Sequence, residues 1–282
     1  MGLRIQNNVE AFNTHRQLTT TSTAAAKSME KLSSGYRINR AADDAAGLAI
    51  SEKMRGQIGG LAQAQRNAQD GISMVQTAEG ALTEVHSMLQ RVRDLKVQYN
   101  NGTNSSDDKV AIASEVSQIA QEVSDIISDT KFNGTAVFGS ATFSFQVGAN
   151  DSETVSTSAA QFSGTVAAGG LSNLTSITTA NAASTALEAG GNLANLSDLD
   201  DAIKNVSKVR ADFGAVQNRL EHRLNNLATY QENLTASESR IRDVDMAAEM
   251  TKFTKLNILQ QAGTSMLAQA NQAPQGVLSL LR

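Results

Sequence analysis

The sequence predicts a mainly α protein, in which long amphipathic arms pair as an antiparallel helical hairpin or coiled-coil bundle with a small β-hairpin region in the middle. The N-terminal arm keeps a helical pattern to about residue 99, and the C-terminal arm resumes it from about 199 to 270. Between them, residues 132–203 contain no Lys or Arg and are dominated by Ser, Thr, Ala, Gly and Asn. Because the terminal segments hold the regular pattern, we expect them to associate, which favours a structural assembly subunit over an enzyme.

The first long helix is predicted over residues 45–99. Its apolar positions are spaced by four, three and seven residues, which is the a/d pattern of a coiled coil. They are Met54, Ile58, Leu61, Ala68, Ile72, Val75, Leu82, Val85, Leu89 and Val92. At 1.5 Å per residue such a helix is about 80 Å long, so it needs partner helices along its length.

The middle of the chain carries turn signals and a strand signal. Residues 100–108 are rich in turn formers and suited to cap a following helix, which the apolar spacing predicts over 109–129. Asn133-Gly134 marks another turn. Phe143, Phe145 and Val147 alternate with polar residues, which predicts one strand of a small hairpin.

The second long apolar pattern runs from Leu199 to Ile241 and predicts a helix of about 40 residues. A final helix is predicted from about Val244, with Pro274 ending it because proline lacks the backbone donor of a helix interior. An apolar tail follows. Unburied apolar residues near both termini are expected to be covered by neighbouring subunits.

Composition argues against several classes of function. The net charge of −4 gives no electrostatic support for nucleic-acid binding, and no apolar run of about 18 residues predicts membrane insertion. Cysteine is absent, and His15, His86 and His222 have no ligand partner at helical spacing. Asp43-Asp44 precedes a helix and is interpreted as N-capping. We therefore predict no catalytic, cofactor or metal site.

Long motifs at both ends resemble those of bacterial flagellins. In the N-terminal half they are KLSSGYRINRAADDAAGLAI at 31–50, QDGISMVQTAEGAL at 69–82, LQRVRDL at 89–95 and FQVGAN at 145–150. In the C-terminal half they are AVQNRLE at 215–221, NLTASESRIRDVDM at 233–246 and the segment 269–282. The resemblance covers residues 1–150 and 199–282, which is nearly all of the chain outside the variable middle.

The resemblance implies a short flagellin without large outer domains. Residues 1–44 and 241–282 would form the two arms of an inner coiled-coil domain. Residues 45–198 would form the N-terminal part of a rod domain (long helix, second helix, hairpin and Ser/Thr-rich segment), and residues 199–240 its C-terminal helix.

The resemblance also implies function. The subunit would be exported and would polymerise into the extracellular flagellar filament, the helical propeller of bacterial motility. Its partners would be copies of itself, the flagellar export apparatus, an export chaperone, the filament cap and the hook–filament junction proteins. Subunit contacts would use the apolar residues of the terminal arms. These are Leu3, Ile5, Val9, Leu18, Leu256, Leu259, Leu267, Leu278 and Leu281.

One segment resembles the flagellin surface that a vertebrate toll-like receptor senses. Arg91 and Leu95 lie one turn apart on the long helix, and Glu115 on the next helix is a third candidate contact. The alternative interpretation is that these residues pack between subunits, because the same helix belongs to the assembly pattern.

Two other classes share this helical pattern. A coiled-coil signalling rod would need its arms joined by a tight helical turn, which the strand alternation in the middle does not provide. A hook–filament junction protein has similar helical ends, but the motifs quoted above favour a flagellin.

Overall fold

The computed structural model describes residues 8–138, 142–157, 177, 179–188 and 195–280. Its helices are α1 (Val9–Ser34), α2 (Ala45–Tyr99), α3 (Ser106–Asp129), α4 (Ala180–Leu187), α5 (Leu196–Arg242) and α6 (Met246–Leu280). Its strands are β1 (Lys131–Phe132), β2 (Thr135–Ala136), β3 (Phe143–Gln146) and β4 (Thr154–Thr157). The predicted fold class, mainly α with a small β-hairpin region, is confirmed.

Two compact units divide the chain. Met1–Gln57 and Glu232–Arg282 contribute to the first, which we call the terminal unit, and Ile58–Gln231 forms the second, which we call the rod unit. Helices α2 and α5 supply residues to both.

Helices α2, α3 and α5 bury a common apolar core in the rod unit. Leu82 and Leu89 of α2 pack in one cluster with Val116 of α3 and with Leu199 and Val206 of α5. Along this unit α5 runs antiparallel to α2, since Arg93 pairs with Asp200 and Gln65 bonds to Gln231. The heptad spacing of α2 thus marks the residues that its partner helices cover, as predicted.

The predicted hairpin is confirmed and packs on α2. Strands β3 and β4 pair antiparallel, with Phe145 opposite Val155. A Cβ at Gly71 of α2 would lie 3.1 Å from the Phe145 ring and 3.2 Å from Leu220 Cδ1. Glycine at 71 therefore lets the hairpin and α5 approach the helix backbone closely.

Helix boundaries follow the capping chemistry of the sequence. The Ser105 hydroxyl accepts from Asp108 N, and the Asp108 carboxylate accepts from Ser105 N at 2.9 Å, forming a capping box at α3. Hydrogen bonds from the hydroxyl and backbone of Ser105 lower the pKa of Asp108. Asp44 caps α2 by accepting from Gly47 N at 2.9 Å. Asp43 instead accepts from the backbone of Asn39 and Arg40.

Helices α1 and α6 pair antiparallel in the terminal unit. Asn8 bonds to Ala270 at one end of the pair, and Ser28 bonds to Glu249 at the other. Gly35 ends α1 with φ +75°, the left-handed conformation that glycine adopts without strain. The segment after it pairs with the α5–α6 connection through a bridge between Tyr36 and Asp243.

Sequence reasoning was wrong about the end of the last helix and missed three short elements. Helix α6 continues through Pro274 to Leu280. Proline removes one helical hydrogen bond there, but Asn8 donates to the Ala270 carbonyl that is left without its donor. Strands β1 and β2 form a two-residue hairpin at Asn133-Gly134, where both residues have positive φ. Helix α4 was missed because its alanine-rich sequence has no apolar/polar contrast, although Thr179 caps it.

A lysine side chain lies inside the rod core. Lys96 is only 1% exposed, and its Nζ donates to the carbonyl oxygen of Leu187, the last residue of α4. The ammonium also lies 5.5 Å from the centre of the Tyr99 ring. A cation at the carbonyl end of a helix is favoured by the helix dipole, but burial lowers the pKa of Lys96 because it penalises the charged form.

Replacing Lys96 by Met should therefore change how rod stability depends on pH. A lowered folded-state pKa means that the unfolded chain binds more protons, so the wild type should gain stability as the pH rises towards 10.5. Urea unfolding of wild type and Lys96→Met, followed by circular dichroism between pH 7 and about pH 10.5, measures the difference. A difference in unfolding free energy between the two proteins that does not vary with pH would contradict a lowered pKa of Lys96.

Candidate subunit-assembly surface

The α1–α6 pair is held by a narrow apolar seam. Leu18 of α1 and Leu256 and Leu267 of α6 are half-buried. A Cβ at Gly263 would lie 3.2 Å from Leu18 Cδ1, so the glycine allows α1 and α6 to approach closely at this level. Three of the predicted assembly residues thus pack within the chain itself.

Other large apolar side chains of the same two helices remain exposed. Phe12 of α1 is 72% exposed and Ile258 of α6 is 61% exposed. The full exposed set among the described residues, which we call the terminal apolar surface, comprises Val9, Phe12, Met29, Met246, Met250, Ile258, Leu259 and Met266. A helix buries one stripe against its partner in a pair, so the described part of the chain leaves these side chains exposed.

An open groove runs along one end of the pair. It is lined from α1 by Ala11, Phe12 and His15, from α6 by Leu267 and Asn271, and at its end by Asn8. The groove combines apolar walls with amide and imidazole groups. It can therefore receive a side chain of mixed character from another protein surface.

Threonine hydroxyls on α1 are satisfied by their own helix. Thr19, Thr20 and Thr23 each donate to the carbonyl four residues earlier, at 2.9–3.0 Å. Thr251 and Thr254 of α6 do the same at 2.9 Å. Because a hydroxyl that is already bonded loses less on leaving water, these surfaces can be covered at little polar cost.

One carboxylate lies between α1 and α6. Glu249 accepts from the hydroxyl of Ser28, which is 1% exposed, and it pairs with Lys252 at 3.4 Å. Burial opposes ionisation, but the Ser28 hydrogen bond and the charges of Lys252 and Lys31 outweigh it and lower the pKa of Glu249. The ionised form therefore stabilises the helix pair.

A junction that sequence reasoning missed joins the connections at the other end of this unit. The guanidinium of Arg242 stacks 4.8 Å from the Tyr36 ring centre and pairs with Glu52 at 2.6 Å. Its hydrogen bond lowers the pKa of Glu52. Arg37 N donates to the Arg242 carbonyl at 2.7 Å. The Tyr and Arg residues stand within the quoted motifs, but their pairing across 206 positions is visible only in the structure.

The predicted assembly residues fall into three groups. Val9 and Leu259 are exposed, and Leu18, Leu256 and Leu267 are half-buried in the seam. Leu3, Ile5, Leu281 and the side chain of Leu278 lie outside the described residues.

The predicted receptor contacts are only partly at the surface of the rod unit. Arg91 donates to Glu115 at 2.6 and 2.8 Å, and both side chains are about half exposed. Leu95 is 1% exposed and belongs to the rod core. Arg91 and Glu115 are therefore available to a partner, whereas Leu95 supports them from below.

No group of His, Cys, Asp or Glu side chains suited to hold a metal ion occurs among the described residues. In the same part of the chain, no helix combines the length and apolar character needed to cross a membrane.

Comparison with known families decides the identity. The bacterial flagellin N-terminal helical region matches residues 5–142, and the bacterial flagellin C-terminal helical region matches residues 196–281. The chain belongs to the bacterial flagellin family. Flagellins are structural, non-enzymatic proteins, and this chain is a subunit of the extracellular flagellar filament.

Flagellins of similar length align over nearly the whole chain. The flagellin of Bacillus subtilis is 51% identical over 305 residues, covering 99% of this chain and 100% of its own. That of Halalkalibacterium halodurans is 50% identical and covers 99% of both chains, and flagellin FlaB2 of Treponema pallidum is 48% identical with the same coverage. Among solved structures, the flagellin of Bacillus cereus is 30% identical, with a TM-score of 0.44 over 57% of this chain and 88% of that one. The predicted family and the short form are confirmed by the aligned relatives.

Filaments should lose stability in acid partly through Glu249. A lowered pKa means that this carboxylate stabilises the α1–α6 pair above its ordinary value of 4.5, and that the contribution disappears as the pH falls through the folded-state pKa. Glu249→Gln filaments should be weaker at neutral pH and should change less on acidification. Sedimentation of filaments against pH measures this. Glu232→Gln, at an exposed glutamate of α5, is the matched control, and an unaltered acid profile in Glu249→Gln would contradict the assignment.

Proposed function

We propose that the terminal apolar surface is the contact through which one flagellin subunit binds the next in the filament. The exposure of Phe12 and Ile258 on two helices whose shared seam is already filled carries this proposal. Burial of a side chain of this size contributes about 1.5–3 kcal/mol. Several such residues are needed to offset the loss of translational and rotational freedom on association.

The contact is proposed to be head-to-tail. When a subunit binds its neighbour through different surfaces and the rotation does not close, the assembly grows as an open helix. Two packings of similar free energy between rows of subunits would then let the filament supercoil and act as a propeller.

Residues 1–44 and 241–282 are proposed to form the inner coiled-coil domain, and residues 45–198 and 199–240 the rod domain. Two structural boundaries support this division. Helix α2 begins at Ala45, and α5 ends at Arg242 beside the predicted boundary. The compact units divide elsewhere, at 57/58 and 231/232, since α2 and α5 are continuous across the boundaries.

Before assembly, the terminal apolar surface must be covered by another protein, or the subunit must be passed quickly to the filament. We propose an export chaperone that covers α6, where Ile258 and Met266 are exposed, followed by passage through the flagellar export apparatus. The filament cap and the hook–filament junction proteins would then meet the same surface at the two ends of the polymer. An exposed apolar set on a chain that must stay soluble supports these partners.

Substituting Phe12 by Ser should prevent polymerisation, because it removes an aromatic side chain from the proposed contact. Phe12→Leu is the matched control, since it keeps an apolar side chain at the same position. Seeded assembly followed by light scattering and electron microscopy should show filaments from Phe12→Leu and few from Phe12→Ser. Normal filaments from Phe12→Ser would remove the proposal, provided that both proteins keep the thermal unfolding of wild type.

A second candidate function is detection of the free subunit by a vertebrate toll-like receptor. The half-exposed ion pair between Arg91 and Glu115 favours it, because a guanidinium presents several donors to a partner. Leu95 cannot serve as a direct anchor while it is buried, so its proposed role is to support the surface. The competing role, packing between subunits, would use the same ion pair.

Arg91→Ala should weaken receptor activation by the free subunit while leaving its fold intact, since an exposed ion pair contributes only about 0–1 kcal/mol. Arg55→Ala, which removes another exposed ion pair of α2, is the control. Leu95→Ala would not separate the hypotheses, because truncating a buried leucine costs about 2–5 kcal/mol in any role. Full activation by Arg91→Ala in a receptor reporter assay would remove the receptor function. Normal filaments from it would remove the packing role.

A further inference from the structure

A proline inside a helix leaves one carbonyl without its usual donor. In α6 the oxygen of Ala270 would accept from the amide of residue 274, but that residue is Pro274 and has no N–H. Helix α6 nevertheless continues to Leu280. The missing hydrogen bond must be replaced from outside the helix if the carbonyl is to be satisfied away from water.

The replacement comes from Asn8. Its Nδ2 donates to the Ala270 oxygen at 2.7 Å, across 262 residues of sequence. The same side chain caps α1, because its Oδ1 accepts from Ala11 N at 3.0 Å. One amide group therefore satisfies an orphan acceptor of α6 and an orphan donor of α1 at the same time.

We propose that Asn8 is a clasp that joins the first turn of α1 to the proline-containing turn of α6 and holds both turns in the geometry that the subunit contact requires. This inference rests on the proposed function of the terminal apolar surface. Neither half of the amide is dispensable: the oxygen begins α1, and the nitrogen completes α6. Pro274 leaves the Ala270 carbonyl free to accept from this amide, so the missing helical hydrogen bond is part of the contact between α1 and α6.

The position of the clasp couples it to assembly. Asn8 lines the open groove together with Phe12 of the terminal apolar surface and Leu267 of the seam. A neighbouring subunit that fills this groove removes water from around the hydrogen bond. In the lower local dielectric the bond becomes stronger, and the cost of an unpaired carbonyl rises. Clasp formation and subunit binding therefore support each other.

The clasp can be separated from the cap by a pair of substitutions. Asn8→Ser keeps a capping oxygen at the start of α1 but lacks the amide that reaches Ala270. Pro274→Ala gives α6 its own N–H for that carbonyl. Asn8→Ser alone should raise the critical concentration for assembly about tenfold, the effect of leaving an acceptor unpaired in a buried contact. In the Pro274→Ala background the same substitution should raise it less than about threefold.

Critical concentrations of the four proteins, measured by sedimentation after seeding, test the clasp. An equal effect of Asn8→Ser in both backgrounds would overturn it, and so would no effect in the wild-type background. Asn8→Asp repeats the test with a side chain of the same shape that caps α1 and cannot donate when ionised.

Thermal unfolding of the rod unit should be the same in all variants and reports any folding defect. If Phe12→Ser fails to assemble while Asn8→Ser assembles as wild type, the clasp alone is wrong. If Phe12→Ser also assembles normally, the proposed function fails as well.

Discussion

Two paired helices cannot bury all of their apolar residues against each other, and this constraint governs the terminal unit. Leu18, Leu256 and Leu267 are half-buried in the seam between α1 and α6, whereas Phe12 and Ile258 remain mostly exposed among the described residues. A globular domain buries such side chains in its own core. Here they stay exposed, so their burial can still stabilise association with another molecule. Family membership and local packing both support the proposal that neighbouring subunits cover the terminal apolar surface.

The rod unit follows the opposite arrangement. Three long helices share one core there, and Leu82, Val116 and Leu199 have no exposed surface. Ion pairs such as Arg93–Asp200 join the helices at the margin of this core, where solvent reduces their contribution. The rod is therefore stable through burial within the chain. Lys96 is the exception, since its buried ammonium loses hydration and its hydrogen bond to Leu187 joins the end of α4 to α2.

The sequence predicted the parts of the fold that depend on local chemistry. Apolar spacing located α2 at its observed bounds, turn formers anticipated the capping box at Ser105, and alternation found β3. The sequence did not predict features that depend on contacts between residues far apart in the chain. Pro274 should have ended a helix, but Asn8 supplies the missing hydrogen bond from the other end of the sequence. The stacking of Arg242 on Tyr36 was equally invisible, because each side chain is unremarkable without its partner. Leu95 is a different case: its motif resembles a receptor contact or a packing position, and the structure places its side chain in the core, which the sequence did not indicate.

The self-bonded threonines of α1 and α6 bear on the mechanics of an assembled filament. The hydroxyls of Thr19, Thr20 and Thr251 donate to carbonyl oxygens of their own helices, so they need no acceptor on a neighbouring subunit. A contact made of such hydroxyls and of apolar side chains holds surfaces together without directional bonds that fix their register. If the proposed subunit contact is of this kind, neighbouring rows of subunits could slide by small distances when the filament bends, without breaking hydrogen bonds between them.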